Sequence, residues 1–207
     1  KAIDKLNIPE KNIGVLIDDT YGEDALNSIA EKSWWIGRPV ELPSSRPLKF
    51  EGERSIGSKI QSWPLTHIVK CLFFYHPDDS EELKNKQEQK IKELYFACLQ
   101  SGHQLLLEVI PPSEFENDES AIPKILQKFY DLEIKPDWWK LPAMNENSWK
   151  QVDTIINTSD SHCQGVLLLG LSAPIDIVKK SFDVAAKYSV CKGFTVGRTI
   201  FYYPAEL

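Results

Sequence analysis

Gly165-Val166-Leu167-Leu168-Leu169-Gly170-Leu171 is a run without a polar side chain. A strand with one wet face alternates apolar and polar residues; a run with no alternation must be covered on both faces, as in a parallel sheet between helices. The pattern repeats outward from it. Downstream, Pro174 opens a helix to about Lys187, and Gly193 to Val196 is a short strand ending at Gly197-Arg198. Upstream, Glu146 to Thr158 reads as a helix through Trp149, Val152, Ile155 and Ile156, which share one face at a 3.6-residue period. Trp138-Trp139-Lys140 is a strand, Ala121 to Leu132 a helix with Ile125, Leu126 and Phe129 inward, and Gln104 to Ile110 a strand closed by Pro111-Pro112. Ser80 to Ser101 is a helix with the stripe Leu83, Ile91, Leu94, Tyr95 and Cys98, capped by Asp79 or Ser80 and stopped by Gly102. His67 to Tyr75 is the clearest strand, and ahead of it come a strand at Trp34 to Val40, a short helix at Glu23 to Lys32 and a strand at Ile13 to Ile17. Between Glu41 and Trp63 lie Pro43, Pro47, Gly52 and Gly57 among serines and charges, a long excursion with at most short elements.

Strands alternating with helices imply an α/β fold, either an open doubly wound sheet or a (β/α)8 TIM barrel. Neither G-x-G-x-x-G nor G-x-x-x-x-G-K-[ST] occurs, so the nucleotide-binding versions lose their support. The expectation is a single barrel domain over residues 1–207, a fragment with about seven of eight strands.

The 207 residues are 42% hydrophobic, enough for one sizeable core, and carry a net charge of −6. Without a basic cluster that charge predicts no nucleic-acid partner. The apolar runs fall short of the roughly 20 residues that span a bilayer, so no membrane partner is expected. Cys71, Cys98, Cys163 and Cys191 form no C-x-x-C pair, which fits a reducing cytoplasm rather than a zinc ribbon or redox motif. His67, His76, His103 and His162 show no metal-ligand spacing, so no metal is expected.

The polar residues fall within or after the C-terminal halves of the strands: Asp18 and Asp19, Arg38 and Glu41, Lys70 with Tyr75 and His76, Glu108, Lys140, Ser172, and Arg198. In a barrel these ends share the face on which active sites are built. Polar loops account for Asp18 and Ser172 but not for charges inside Val69-Lys70-Cys71 or Leu107-Glu108-Val109. Lys140, in Pro136-Asp137-Trp138-Trp139-Lys140-Leu141-Pro142, either snorkels to water between its tryptophans or is desolvated, with a lowered pKa. Buried charges need one another, and two lysines with one glutamate on adjacent strands would make Lys140 a nucleophile and Glu108 its proton shuttle. Gly170-Leu171-Ser172-Ala173 and Gly193-Phe194-Thr195-Val196-Gly197-Arg198 have the small residues that admit an anion to the backbone, and Arg198 offers a fork for phosphate.

The motifs Trp34-Trp35-Ile36-Gly37-Arg38-Pro39-Val40-Glu41-Leu42-Pro43, Val69-Lys70-Cys71-Leu72 with Tyr75-His76-Pro77-Asp78-Asp79, Leu107-Glu108-Val109-Ile110-Pro111-Pro112, Pro136 to Leu141, and Gly193 to Phe201 together resemble the DUF2090 domain of bacterial inositol catabolism. That domain is commonly fused behind a sugar kinase acting on 5-dehydro-2-deoxygluconate, and it is similar to the class I tagatose-bisphosphate aldolases. The resemblance implies a Schiff-base aldolase without metal or other cofactor, with Lys140 as the Schiff-base lysine, Glu108 as acid/base, Lys70 as second lysine and Arg198 as phosphate ligand. Gly197, Ser172, Gly170, Asp18, Arg38, Glu41 and His76 complete the expected substrate- and phosphate-binding set. The implied reaction cleaves 6-phospho-5-dehydro-2-deoxy-D-gluconate to dihydroxyacetone phosphate and malonate semialdehyde. The implied partners are the phosphorylated keto-sugar and a fused or associated kinase domain, with room for a homo-oligomer. The resemblance also implies that the family's first strand precedes Lys1 and its closing helix follows Leu207. The alternative is a non-catalytic barrel that binds a sugar phosphate and regulates or stabilises an attached kinase.

Overall fold

The β-branched pair Ile68-Val69 and the aromatic pair Phe73-Phe74, residue types that favour extended backbone, lie in the longest strand, β3 (His67–Phe74), of the computed structural model of the chain. The structure describes residues 7–52, 55–197 and 199. The other strands are β1 (Gly14–Leu16), β2 (Trp35–Pro39), β4 (Leu105–Ile110), β5 (Trp138–Leu141), β6 (Gly165–Leu169) and β7 (Cys191–Thr195). The helices are α1 (Glu23–Ser28), α2 (Ile56–Ile60), α3 (Glu81–Ser101), α4 (Ala121–Asp131), α5 (Glu146–Ser159) and α6 (Ile175–Ala185). The strands form one sheet in the order β1-β2-β3-β4-β5-β6-β7, every neighbour parallel. The sheet curls until β1 and β7 approach each other, giving a nearly closed TIM-type barrel with helices outside.

Side-chain alternation sorts each strand into two faces. On β3, Val69, Cys71 and Phe73 join the core under the helices, while Lys70 and Leu72 turn inward. On β4, Leu105, Leu107 and Val109 face the helices and Glu108 faces in; on β5, Trp139 and Leu141 face out and Lys140 in. The outer layer is tied by Trp139, whose indole Nε1 donates to Tyr130 Oη of α4 at 2.9 Å. The barrel floor is plugged by Trp35 and Trp138, packed edge to face at 6.0 Å, with Trp138 Nε1 donating to Gln104 Oε1 at 3.0 Å. Two of the helices have side-chain caps next to the site-bearing strands: the Ser80 side chain accepts from Leu83 N and Asn145 from Ser148 N, supplying partners to first-turn amides. Gly102, at φ +79°, ends α3, a left-handed cap that glycine takes without strain.

The boundaries depart from the sequence reading at informative places. The strand expected to run to Leu171 stops at Leu169, because Leu171 and Ser172 take positive φ (47° and 60°) in a tight turn in which Ala173 N donates to Gly170 O at 2.8 Å. β7 begins at Cys191 rather than Gly193, since Val166 pairs with Cys191 but Leu167 with Gly193. Lys192 is thus the extra residue of a β-bulge, and a charged residue before a glycine hid the strand start. The long excursion holds α2 and an antiparallel bridge between Glu41 and Phe50, and Pro111-Pro112 leads into a short 3-10 turn at Ser113–Phe115.

Candidate active site

Glu108 and Lys140 are register partners across β4 and β5, so their side chains leave the sheet side by side on its inner face. Lys140 Nζ lies 3.0 Å from Glu108 Oε1, and Lys70 Nζ lies 2.8 Å from Glu108 Oε2. A second carboxylate, Glu41, just beyond β2, also accepts a hydrogen bond from Lys70. All four groups are buried, and Lys140 is only 8% exposed. It does not snorkel: its ammonium ends on a carboxylate inside the barrel.

Burial alone disfavours both lysine charges, but the two are treated differently. Lys70 has two carboxylates, which outweigh its desolvation and hold its pKa up at about 12. Lys140 shares one carboxylate, so burial prevails, aided by the Lys70 charge, and its pKa falls below the ordinary 10.5. For Glu108, burial pushes upward but Lys70 and then Lys140 win, and its carboxyl sits below the ordinary 4.5. One lysine is locked as a cation, and its neighbour is the easier to deprotonate.

Above this group opens a cavity of about 550 Å³ lined by Glu108, Lys140, Leu72, Ile110 and Leu169, by β1 and the Ile17 that follows it, and by Gly170, Ser172, Gly197 and Thr199 at the other edge. The structure therefore brings Lys140, Glu108, Gly170, Ser172 and Gly197 to one cavity, with Lys70 directly behind Glu108. At Gly170 the approach is close: a Cβ there would stand 3.1 Å from a Val196 methyl and 3.3 Å from the Thr199 hydroxyl, tighter than ordinary van der Waals contact. Arg198 lies outside the described residues.

The remaining expected residues are placed elsewhere. Arg38 follows the opposite alternation to Pro39, the register partner of Lys70, so it faces the helices. There it donates twice to Asp19 Oδ1, at 2.9 and 2.6 Å, and stacks 4.1 Å over the Trp63 ring. Asp18 accepts from Tyr21 N at 2.7 Å and shapes a turn. His76, 1% exposed, lies flat on Phe115 at 3.7 Å. Its Nδ1 accepts from Asp78 N at 3.1 Å, which leaves the proton on Nε2 to donate to Asp118 Oδ2 at 3.2 Å; the ring joins two loops and does not line the cavity. Glu41 does not line it either. Sequence reasoning missed Thr195 and Thr199 as lining residues. The register of Thr195 with Leu169 is the signal that would have found the first.

Among the described residues no group of His, Cys, Asp and Glu could hold a metal ion, and no helix is long and apolar enough to cross a membrane. The family model for an uncharacterized protein conserved in bacteria (DUF2090) matches residues 2–207. No curated protein matches the sequence. Among solved structures, a Corynebacterium glutamicum protein, Cgl0159, is similar with a TM-score of 0.66 at 16% identity, covering 97% of this chain and 68% of its own. A fructose-bisphosphate aldolase from Slackia heliotrinireducens is similar with a TM-score of 0.59 at 12% identity, covering 89% of this chain and 61% of its own. The likeness is one of fold, and the chain spans about two thirds of the length of these structures.

Proposed function

The chain belongs to the DUF2090 family, and we propose that it carries out class I aldolase chemistry, cleaving 6-phospho-5-dehydro-2-deoxy-D-gluconate to dihydroxyacetone phosphate and malonate semialdehyde. The observation that carries this reading is the buried Lys140-Glu108-Lys70 relay at the floor of the cavity. A Schiff base needs a free amine and a group to take its proton and return it to the departing hydroxyl.

Lys140 sheds its proton to Glu108 Oε1, 3.0 Å away, and the amine attacks the C5 ketone. The carbinolamine hydroxyl leaves as water with the proton that Glu108 returns, giving an iminium. Glu108, ionised again, takes the C3 hydroxyl proton as the C3–C4 bond breaks; the electrons of that bond pass to the iminium as an enamine, and C3 becomes the aldehyde of malonate semialdehyde. Glu108 returns that proton to C4, and hydrolysis of the iminium releases dihydroxyacetone phosphate and restores the Lys140 ammonium. Lys70 stays charged throughout and keeps Glu108 ionised for its first, proton-accepting step. Gly170, Ser172 and Gly197 at the cavity edge are assigned to the phosphate, with Arg198 as its cationic partner; an attached kinase would supply the phosphorylated substrate.

Borohydride reduction of the full-length protein with dihydroxyacetone phosphate should add the reduced ketose to the peptide containing Lys140. No adduct under conditions that trap a known class I aldolase overturns the proposal. A barrel that merely bound a sugar phosphate to regulate a kinase has no use for a desolvated amine, and the same trap separates the two readings.

A further inference from the structure

Two lysines reach the two oxygens of one carboxylate at nearly equal distances, 2.8 Å for Lys70 and 3.0 Å for Lys140. By themselves those contacts do not say which lysine would give up its proton. A single carboxylate between two ammoniums leaves the buried site with one excess positive charge, and relief by deprotonation could fall on either amine. What breaks the symmetry is Glu41. It stands on the other side of Lys70, contributed by the segment after β2, and accepts a hydrogen bond from the Lys70 ammonium. Its second oxygen is held by the amide of Val40 at 3.3 Å, and the bridge to Phe50 fixes the backbone that carries it. The charged groups facing Lys70 are thus Glu41 from the β2 side and Glu108 from β4, with Lys140 beyond it on β5.

We propose that Glu41 is a positioning residue that fixes Lys70 as a permanent ammonium and so assigns the removable proton of the site to Lys140. This rests on the aldolase reading of the same site and adds the device that selects its nucleophile. Glu41 does not line the cavity and meets no substrate; it acts through Lys70. The opposite directions in which Lys70 and Lys140 are pushed accord with this division. An ion pair with a purely structural role would hold the loop in place without ordering the two titrations.

The test is an NMR titration of lysine side-chain 13Cε and 15Nζ resonances in the full-length protein, assigned with Lys70→Arg and Lys140→Arg, and needs no substrate. In the wild type Lys140 should deprotonate first. In Glu41→Gln the proton affinity of Lys70 should fall at least about tenfold, one pKa unit, closing the interval between the two lysines, and Glu41→Asp should restore most of it. An unmoved Lys70 midpoint in Glu41→Gln, or identical titrations in the Gln and Asp variants, overturns the inference. If Glu41→Gln does not fold, Glu108→Gln serves: Lys70 must remain charged on Glu41 alone, and its discharge at neutral pH refutes the assignment. Loss of the ketose adduct in the wild type would instead sink the aldolase reading while leaving the order of titration standing.

Discussion

Glu108 and Lys140 meet at 3.0 Å because parallel register sets their Cα positions opposite each other on β4 and β5. A shift of one residue in either strand would send one of them into the helix layer, where Leu107 and Trp139 now pair. The contact is therefore placed by the sheet rather than by a loop.

Adjacent residues of β5 should separate stability from chemistry. Trp139 is fully buried on the outer face and hydrogen-bonded to Tyr130, so Trp139→Ala should cost about 3–5 kcal/mol, read by denaturant unfolding. Lys140→Met should abolish the trapped adduct yet keep or raise the melting temperature. A lysine whose folded pKa lies below its unfolded one costs stability wherever it stays charged, and the change leaves Glu108 paired with Lys70.

Glu108→Gln has the opposite balance. It removes the proton acceptor of Lys140 and leaves a buried ammonium without its carboxylate. The expected outcome is a fall in kcat of about 10²–10⁴ together with a destabilisation on the order of 3 kcal/mol, measured by steady-state cleavage and chemical unfolding. The difference in stability from the wild type should shrink as pH falls through the folded value of Glu108, below the ordinary 4.5, because that is where the carboxylate's contribution is lost.

The strand–helix order and the barrel were legible in the apolar runs and their spacing, and the Lys70–Glu108–Lys140 group in charges lying inside apolar strands, which need one another when buried. The residues misplaced were those whose position depends on a half-period. Arg38 sits one residue before Pro39, the partner of Lys70, and that single step turns it outward to Asp19. His76 and Asp18 follow strand ends, where no alternation constrains direction; they became loop fasteners. The bulge at Lys192 likewise obscured the start of β7, since an inserted residue breaks the period on which strand recognition rests.

Lys70 should govern alkaline stability. Its folded pKa is raised from 10.5 to about 12, so its contribution is complete below about pH 10.5 and vanishes as pH rises toward 12. Thermal unfolding of wild type and Lys70→Met should show a stability gap that is constant at neutral and mildly alkaline pH and narrows over that interval. A gap that does not change there would mean that Lys70 gains nothing from Glu41 and Glu108.

His76 tests the difference between standing at a strand end and belonging to the site. Its ring is stacked on Phe115 and bonded to Asp118, and both contacts join the loop after β3 to the one after β4. Replacing it with Ala removes the stack and the ring's two hydrogen bonds, to Asp78 N and Asp118, at a cost of about 1–3 kcal/mol, seen as a lower melting temperature. The cavity around Lys140 does not include the ring, so His76→Ala should still form the reduced ketose adduct at Lys140 in wild-type yield at a temperature where it remains folded. Loss of the adduct with the fold intact would place His76 in the chemistry and contradict its role as a loop fastener.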